Sequence, residues 1–95
     1  MSTTAWPIAK FRLGKIVSTP SALSQLTQDD ILLAIQRHQA GDWGDVDEDD
    51  RTKNELSLKQ GLRLWSVYHA ANGTKFWLIT EADRSHTTVL LSGDY

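Results

Sequence analysis

Within six residues, Glu81-Ala82-Asp83-Arg84-Ser85-His86, the chain gathers two carboxylates, a guanidinium and an imidazole. Those groups together suit general acid–base chemistry on a phosphodiester. Glu81 or His86 would accept the proton, and Arg84 would stabilise the charge that develops. On that reading Glu81, Arg84 and His86 are the catalytic residues of a small ribonuclease. The same residue types also make an ordinary polar turn, in which Asp83 bonds its own backbone and Arg84 pairs with a neighbouring acid. The turn is the simpler reading. His69 and Lys75 lie at the other end of the same hairpin and do not join the cluster.

A second concentration of charge runs from Asp42 to Asp50, with six carboxylates in nine residues. Asp45, Asp47 and Asp49 match the first three ligand positions of an EF-hand loop. The match then fails, because Asp50 stands where a glycine makes the turn and Leu56 where a bidentate glutamate belongs. His38, Asp42 and Asp45 have a spacing that can gather a transition metal. However, His38 falls on or beside an apolar helix face near its C-terminus, where a histidine caps carbonyls or packs on a loop. Neither set implies a metal or a cofactor, and none is expected. The run could also imitate a nucleic-acid backbone, but Arg51, Lys53 and Lys59 dilute it, and charge runs are usually solvated faces.

These groups must be held by a small scaffold. Ninety-five residues make one domain, without cysteine and therefore without disulfides or thiolate metal sites, and four tryptophans supply much of its burial area. A net charge of −2 lacks the basic field that dominates nucleic-acid affinity, which argues against a nucleic-acid partner. No apolar run reaches the roughly 20 residues that span a bilayer, so no membrane partner is expected. Residues 1–9 lack the charged and apolar regions of a secretory signal, and a cytoplasmic location is expected.

The hydropathy pattern predicts an α+β domain with residues 1–9 as an arm. Lys10 to Val17 reads as an edge strand with a bulge at Gly14. Ser18-Thr19-Pro20-Ser21 ends it and starts a helical turn buried through Leu23 and Leu26. Thr27 and Asp30 form a capping pattern for a helix over 28–40, with Ile31, Leu32, Ala34, Ile35 and His38 on one face and Gly41 as its terminator. Trp43, between glycines, reads as a loop anchor. Acids early and cations late suit a further short helix near 48–60, closed by Gly61, although its apolar face has only Leu56 and Leu58.

From Leu62 the period becomes two, giving a C-terminal three-stranded antiparallel meander packed on the helix. Reading Asn72-Gly73 as a two-residue type I′ turn pairs Tyr68 with Trp77, Ser66 with Ile79 and Leu64 with Glu81 on one face. It pairs His69 with Phe76, Val67 with Leu78 and Trp65 with Thr80 on the other. Both faces then carry large apolar side chains. One covers the core. The other needs a partner, a second subunit, or the N-terminal arm with Trp6 and Ile8. The expected binding surface is Trp65, Val67, Phe76 and Leu78, with Asp45, Asp47 and Asp49 beside it. The expected function is binding to a protein partner or a second copy, without a secure catalytic site.

Three segments carry a family resemblance: Leu13 to Pro20, His38 to Asp45, and Trp77 to Ser85. They resemble a family of small uncharacterised bacterial proteins carried on plasmids and integrated elements. Some members carry the label of a type I restriction methylation subunit. A chain this short without a glycine-rich cofactor loop does not fit a methyltransferase. The resemblance covers most of residues 10–92 and implies an accessory protein of a mobile element. At the level of fold the chain is also similar to RelE- and barnase-type ribonucleases, for which Glu81, Arg84 and His86 are the matching residue types. Those toxins are basic, and this chain is slightly acidic.

Overall fold

The computed structural model describes residues 9–95. The arm expected over residues 1–9, with Trp6 and Ile8, lies outside this range apart from Ala9. The element order is β1 (Lys15–Ser18), α1 (Pro20–Gln25), α2 (Gln28–Gln39), α3 (Glu48–Gln60), β2 (Leu64–His69), β3 (Lys75–Thr80) and β4 (His86–Leu91), then a 3-10 turn over Ser92–Asp94. The fold is α+β, with one mixed four-stranded sheet in the order β1-β4-β3-β2. The meander is present, but it is not the whole sheet. β1 adds to it in parallel, with Val17 beside Thr88.

Local chemistry explains the helices. Thr19 caps α1 and Pro20 sits in its first turn, where no amide donor is needed. Its buried contacts are Ala22 and Leu26, whereas Leu23, expected inside, is 61% exposed. Thr27 and Asp30 form the reciprocal capping box that opens α2. Ala34 and His38 are its buried residues, with Ile31 and Ile35 packed at the margin and Leu32 facing outward. Asp47 caps α3, and Gly61 ends it in the left-handed conformation. The thin apolar face of α3 is real. Its buried residues are Asn54 and Ser57, and Leu56 is exposed. The helix is held by Leu58, which packs against the Trp43–Val67 cluster, together with polar contact between Asn54 and the sheet edge.

The hairpin register differs from expectation by one residue. Ala70 N–H donates to Thr74 and Gly73 N–H donates back to Ala70, so the loop is Ala71-Asn72-Gly73, with Gly73 at a φ of 89°. This is a type I turn followed by a left-handed glycine, which places three residues where two were expected. Tyr68 therefore faces Phe76, Ser66 faces Leu78, Leu64 faces Thr80 and Trp65 faces Ile79. A slip of one residue moves every β3 side chain to the opposite face.

The main core lies on one face of the sheet. Tyr68, Phe76, Leu78 and Val89 meet Ala22, Leu26 and Ala34 of the two N-terminal helices. A second cluster wraps the β2 edge, where Trp43 and Val46 join Leu64 and Val67. That edge is closed. Val67 N–H donates to Trp43 and Val67 C=O accepts from Asp45, while Asn54 serves Trp65. Covering an edge in this way blocks strand-to-strand aggregation. Among the described residues no helix is long and apolar enough to cross a membrane.

Candidate functional site

The Glu81–His86 corner is a tight loop. Glu81 N–H donates to His86 C=O and Arg84 N–H to Glu81 C=O. Arg84 sits at a φ of 61°, in the left-handed region. Asp83 accepts from the Ser85 amide at 2.9 Å, and its bonds to Ser85 hold its carboxyl below the usual range. The guanidinium of Arg84 turns inward. Nη1 donates to the carbonyls of Leu62 (2.7 Å), Glu81 (2.9 Å) and Ala82 (3.2 Å), and Nη2 to Ser57 (3.3 Å). Arg84 thus ties this loop to the C-terminal end of α3, and Phe11 lies 5.7 Å below it. Glu81 and His86 do come together, at 3.9 Å, in a shallow open depression that Ala82, Asp83 and Ser85 complete. Arg63 approaches the same Glu81 at 3.4 Å, a cation the sequence reading did not assign to this corner.

The acidic segment is divided among local tasks. Asp42 holds Arg37 bidentately, at 2.7 and 3.2 Å, and this contact lowers the carboxyl pKa of Asp42 and raises the pKa of Arg37. Asp45 lies 3.2 Å from His69. Asp47 accepts the Asp50 amide at the start of α3, and Asp49 lies in its first turn. Trp43 is fully buried, as its anchor role requires, and its indole N–H donates to Glu55 at 2.8 Å.

His38 does not turn toward Asp42 and Asp45. It points into the core, where Nδ1 lies 2.5 Å from Ser66 and Nε2 lies 2.9 Å from Thr80. Thr80 continues to Thr87 at 2.7 Å, and Thr87 donates to Leu13 C=O at 2.8 Å. Direction propagates back along this chain. Thr87 spends its proton on Leu13, so Thr80 donates to Thr87, His38 Nε2–H donates to Thr80, and Ser66 donates to Nδ1. The ring is a neutral Nε2 tautomer, and burial, followed by the charge of Arg84, pushes its pKa down to about 3. All of these side chains are closed to solvent, so the network organises the core and cannot meet a substrate.

The expected binding surface is not one surface. Phe76 is 1% exposed and Leu78 0%, both on the helix-covered face, whereas Trp65 and Val67 belong to the other. The one-residue register change is the reason. Trp77 stands opposite Val67 where Leu78 was expected, Ile79 opposite Trp65 where Thr80 was expected, and Lys75 opposite His69 where Phe76 was expected. Trp65 and Trp77 meet edge to face, with centroids 5.4 Å apart and planes at 80°. Tyr95 leans on Trp77 at 5.2 Å, and its hydroxyl accepts from Arg63 at 3.5 Å. These residues and Ile79 line an open cleft of about 320 Å³. Both indole nitrogens are buried and lack a hydrogen-bond partner among the described residues. An unsatisfied buried donor costs about 1–3 kcal/mol and calls for an explanation. The expected register itself carried a warning, because it set Glu81 opposite the core residue Leu64. Moving Thr80 there removes the conflict and completes the His38 chain. Comparisons of this chain with protein-family models, with curated proteins and with solved structures found no match.

Proposed function

We propose that this protein is a non-enzymatic interaction module that binds another protein through the cleft of Arg63, Trp65, Trp77, Ile79 and Tyr95. The observation that carries this reading is an open aromatic cleft on the sheet face opposite the α1–α2 core, with two buried indole donors that have no partner among the described residues. Aromatic anchors of this kind supply most of the energy of protein interfaces. The family resemblance adds a setting, an accessory role on a mobile element. The test is affinity capture from the native host with wild type, Trp77→Ala and Leu33→Ala, where Leu33 is an exposed helix residue. A stoichiometric protein held by wild type and Leu33→Ala and lost from Trp77→Ala supports the module. Capture indifferent to Trp77 overturns the assignment of the cleft.

A small ribonuclease is the rival reading, favoured by the approach of His86 to Glu81 in an open depression. Arg84 would be its phosphate clamp, yet that guanidinium is committed to four carbonyls. Enriched and trimmed RNA in the same capture would support this reading, and RNA recovered intact would count against it.

A further inference from the structure

We infer that Asn72, in the loop of the β2–β3 hairpin, is a modification site, deamidated by water without an enzyme. The clasp between this loop and the helices restrains the conversion and is undone by it. The chain has two asparagines, Asn54 and Asn72, and only Asn72 precedes a glycine. Glycine has no Cβ to crowd the approach of its backbone nitrogen to the preceding side chain. Asn72 and Gly73 are both exposed, and nothing lies within 4 Å of the place a Cβ on Gly73 would take. The carboxamide is folded toward that nitrogen. Its Oδ1 accepts the Thr74 amide at 2.9 Å, an Asx turn that arches the side chain over the intervening Gly73 amide. The Thr74 N–H thereby sits on the oxygen where negative charge develops when the amide carbon is attacked.

The reaction balances with these groups and solvent. The Gly73 nitrogen gives its proton to solvent base and bonds to the side-chain amide carbon of Asn72. Nδ2 takes up a proton and leaves as ammonia, which closes a cyclic imide. Water then opens the ring. Cleavage of the new bond leaves aspartate at position 72, and cleavage of the original peptide bond leaves isoaspartate. The net change is one amide exchanged for one carboxylate.

Three hydrogen bonds restrain the loop. Gly73 N–H donates to Ala70 C=O at 2.9 Å, which occupies the attacking nitrogen. Ala71 N–H donates to Asp30 Oδ1 at 3.1 Å and Asn72 Nδ2 to Gln25 C=O at 3.2 Å, tying the tip to α2 and to the end of α1. Attack therefore runs through a local opening, and the strength of the clasp sets how often that opening occurs. Conversion also removes part of the clasp. The departing nitrogen is the donor to Gln25, and the new carboxylate faces that carbonyl instead. Isoaspartate further lengthens the backbone of a loop whose residue count fixes the hairpin register.

The experiment incubates the full folded chain in mildly alkaline buffer and follows the peptide carrying Asn72 by mass spectrometry, with isoaspartate resolved by chromatography. The same chain unfolded in urea and the Asp30→Asn variant are run beside it. Asn54 is the internal reference, since it is buried with both amide atoms bonded to the Trp65 backbone. Expected in the folded chain is conversion at Asn72 and none at Asn54, with Asn72 slower than in urea. Asp30→Asn leaves one acceptor oxygen where Asp30 uses two. It should speed the folded-state conversion about fivefold, the change in opening that one lost hydrogen bond gives. The converted protein, separated by charge, should melt below its parent. An Asn72 that stays intact in the folded chain while the urea sample converts overturns the site. Equal rates in folded and unfolded chain, or in wild type and Asp30→Asn, overturn the restraint by the clasp. The urea comparison decides that point if the variant does not fold.

Discussion

Asn54 grips both backbone polar groups of Trp65. Its Nδ2 donates to the Trp65 carbonyl at 2.6 Å, and its Oδ1 accepts the Trp65 amide at 3.0 Å. A helix side chain thus does for the β2 edge what a further strand would do. It also fixes the backbone that carries one wall of the cleft. This is why α3, with almost no apolar face, still has a defined seat on the sheet.

Replacing Asn54 with Asp tests that pairing. The carboxylate can still accept the Trp65 amide, but it sets a negative charge against the carbonyl where an amide donor stood. A loss of about 2 kcal/mol is expected, made up of one hydrogen bond and one unsatisfied buried carbonyl. Chemical denaturation of the two proteins measures it. Equal midpoints at neutral pH would show that Asn54 Nδ2 contributes nothing.

His38 makes stability depend on pH in a defined window. Its folded pKa of about 3 lies below the ordinary 6.5, so between these values the unfolded chain binds a proton that the folded one refuses. The contribution of the neutral ring is complete above pH 6.5 and declines by about 1.4 kcal/mol per unit as pH falls toward 3. Asp30, Asp42, Asp83 and Asp94, whose carboxyls are held below 3.8 by hydrogen bonds, add their losses only at the acid end. Melting curves from pH 7 to 5 should therefore show a slope that His38→Gln flattens, although that variant starts from a lower melting temperature. A wild-type profile that is flat over this range would refute the linkage.

How far the sequence led can be judged from particular residues. The helices were legible because their signals are local. Thr27 with Asp30 and the placement of Gly61 depend on neighbours a few residues away. The pairing of β1 with β4 was not legible, since it joins Val17 to Thr88 across most of the chain and leaves no local mark. The hairpin failed for a finer reason. Asn72-Gly73 fits either a two-residue loop or the end of a three-residue one, and only the fate of Glu81 and Thr80 on the core face separates them. That single choice exchanged Phe76 and Leu78 for Trp77 and Ile79 and so hid the cleft. The network of Ser66, His38 and Thr80 depends on the same register, and in the sequence its members looked like unrelated polar residues.

Gly44, like Gly14, should be among the least replaceable glycines of the described chain. It has a φ of 72°, and an added Cβ would stand 2.0 Å from the Val67 carbonyl oxygen and 2.8 Å from the Tyr68 ring. Both obstacles belong to β2, at the bridge that closes its edge. Gly44→Ala is expected to cost about 3 kcal/mol or more, combining left-handed strain with displacement of packed backbone. Gly61→Ala, with the same sign of φ but nothing within 4 Å, should cost only about 1–2 kcal/mol. Thermal denaturation of both variants supplies the comparison, and a smaller loss for Gly44→Ala would contradict the packing described at the bridge.

Arg84 offers the clearest separation between architecture and catalysis. Its guanidinium collects carbonyls from the end of α3, from Leu62 and from its own loop, which free water would otherwise have to solvate. Arg84→Ala should lower stability by about 2 kcal/mol, within the range for hydrogen bonds to a charged donor. Arg84→Lys should recover little, because a single ammonium cannot reproduce a planar fork that reaches four acceptors. His86→Ala, by contrast, removes a half-exposed imidazole without such ties and should leave the melting temperature nearly unchanged. Incubating each variant with RNA then divides the two accounts. RNA cleavage by wild type, abolished in both Arg84→Ala and His86→Ala while each keeps the wild-type melting temperature, would place Arg84 on substrate and overturn its structural role. A large loss of stability in Arg84→Ala alone, with no cleavage by wild type, is the outcome this geometry predicts.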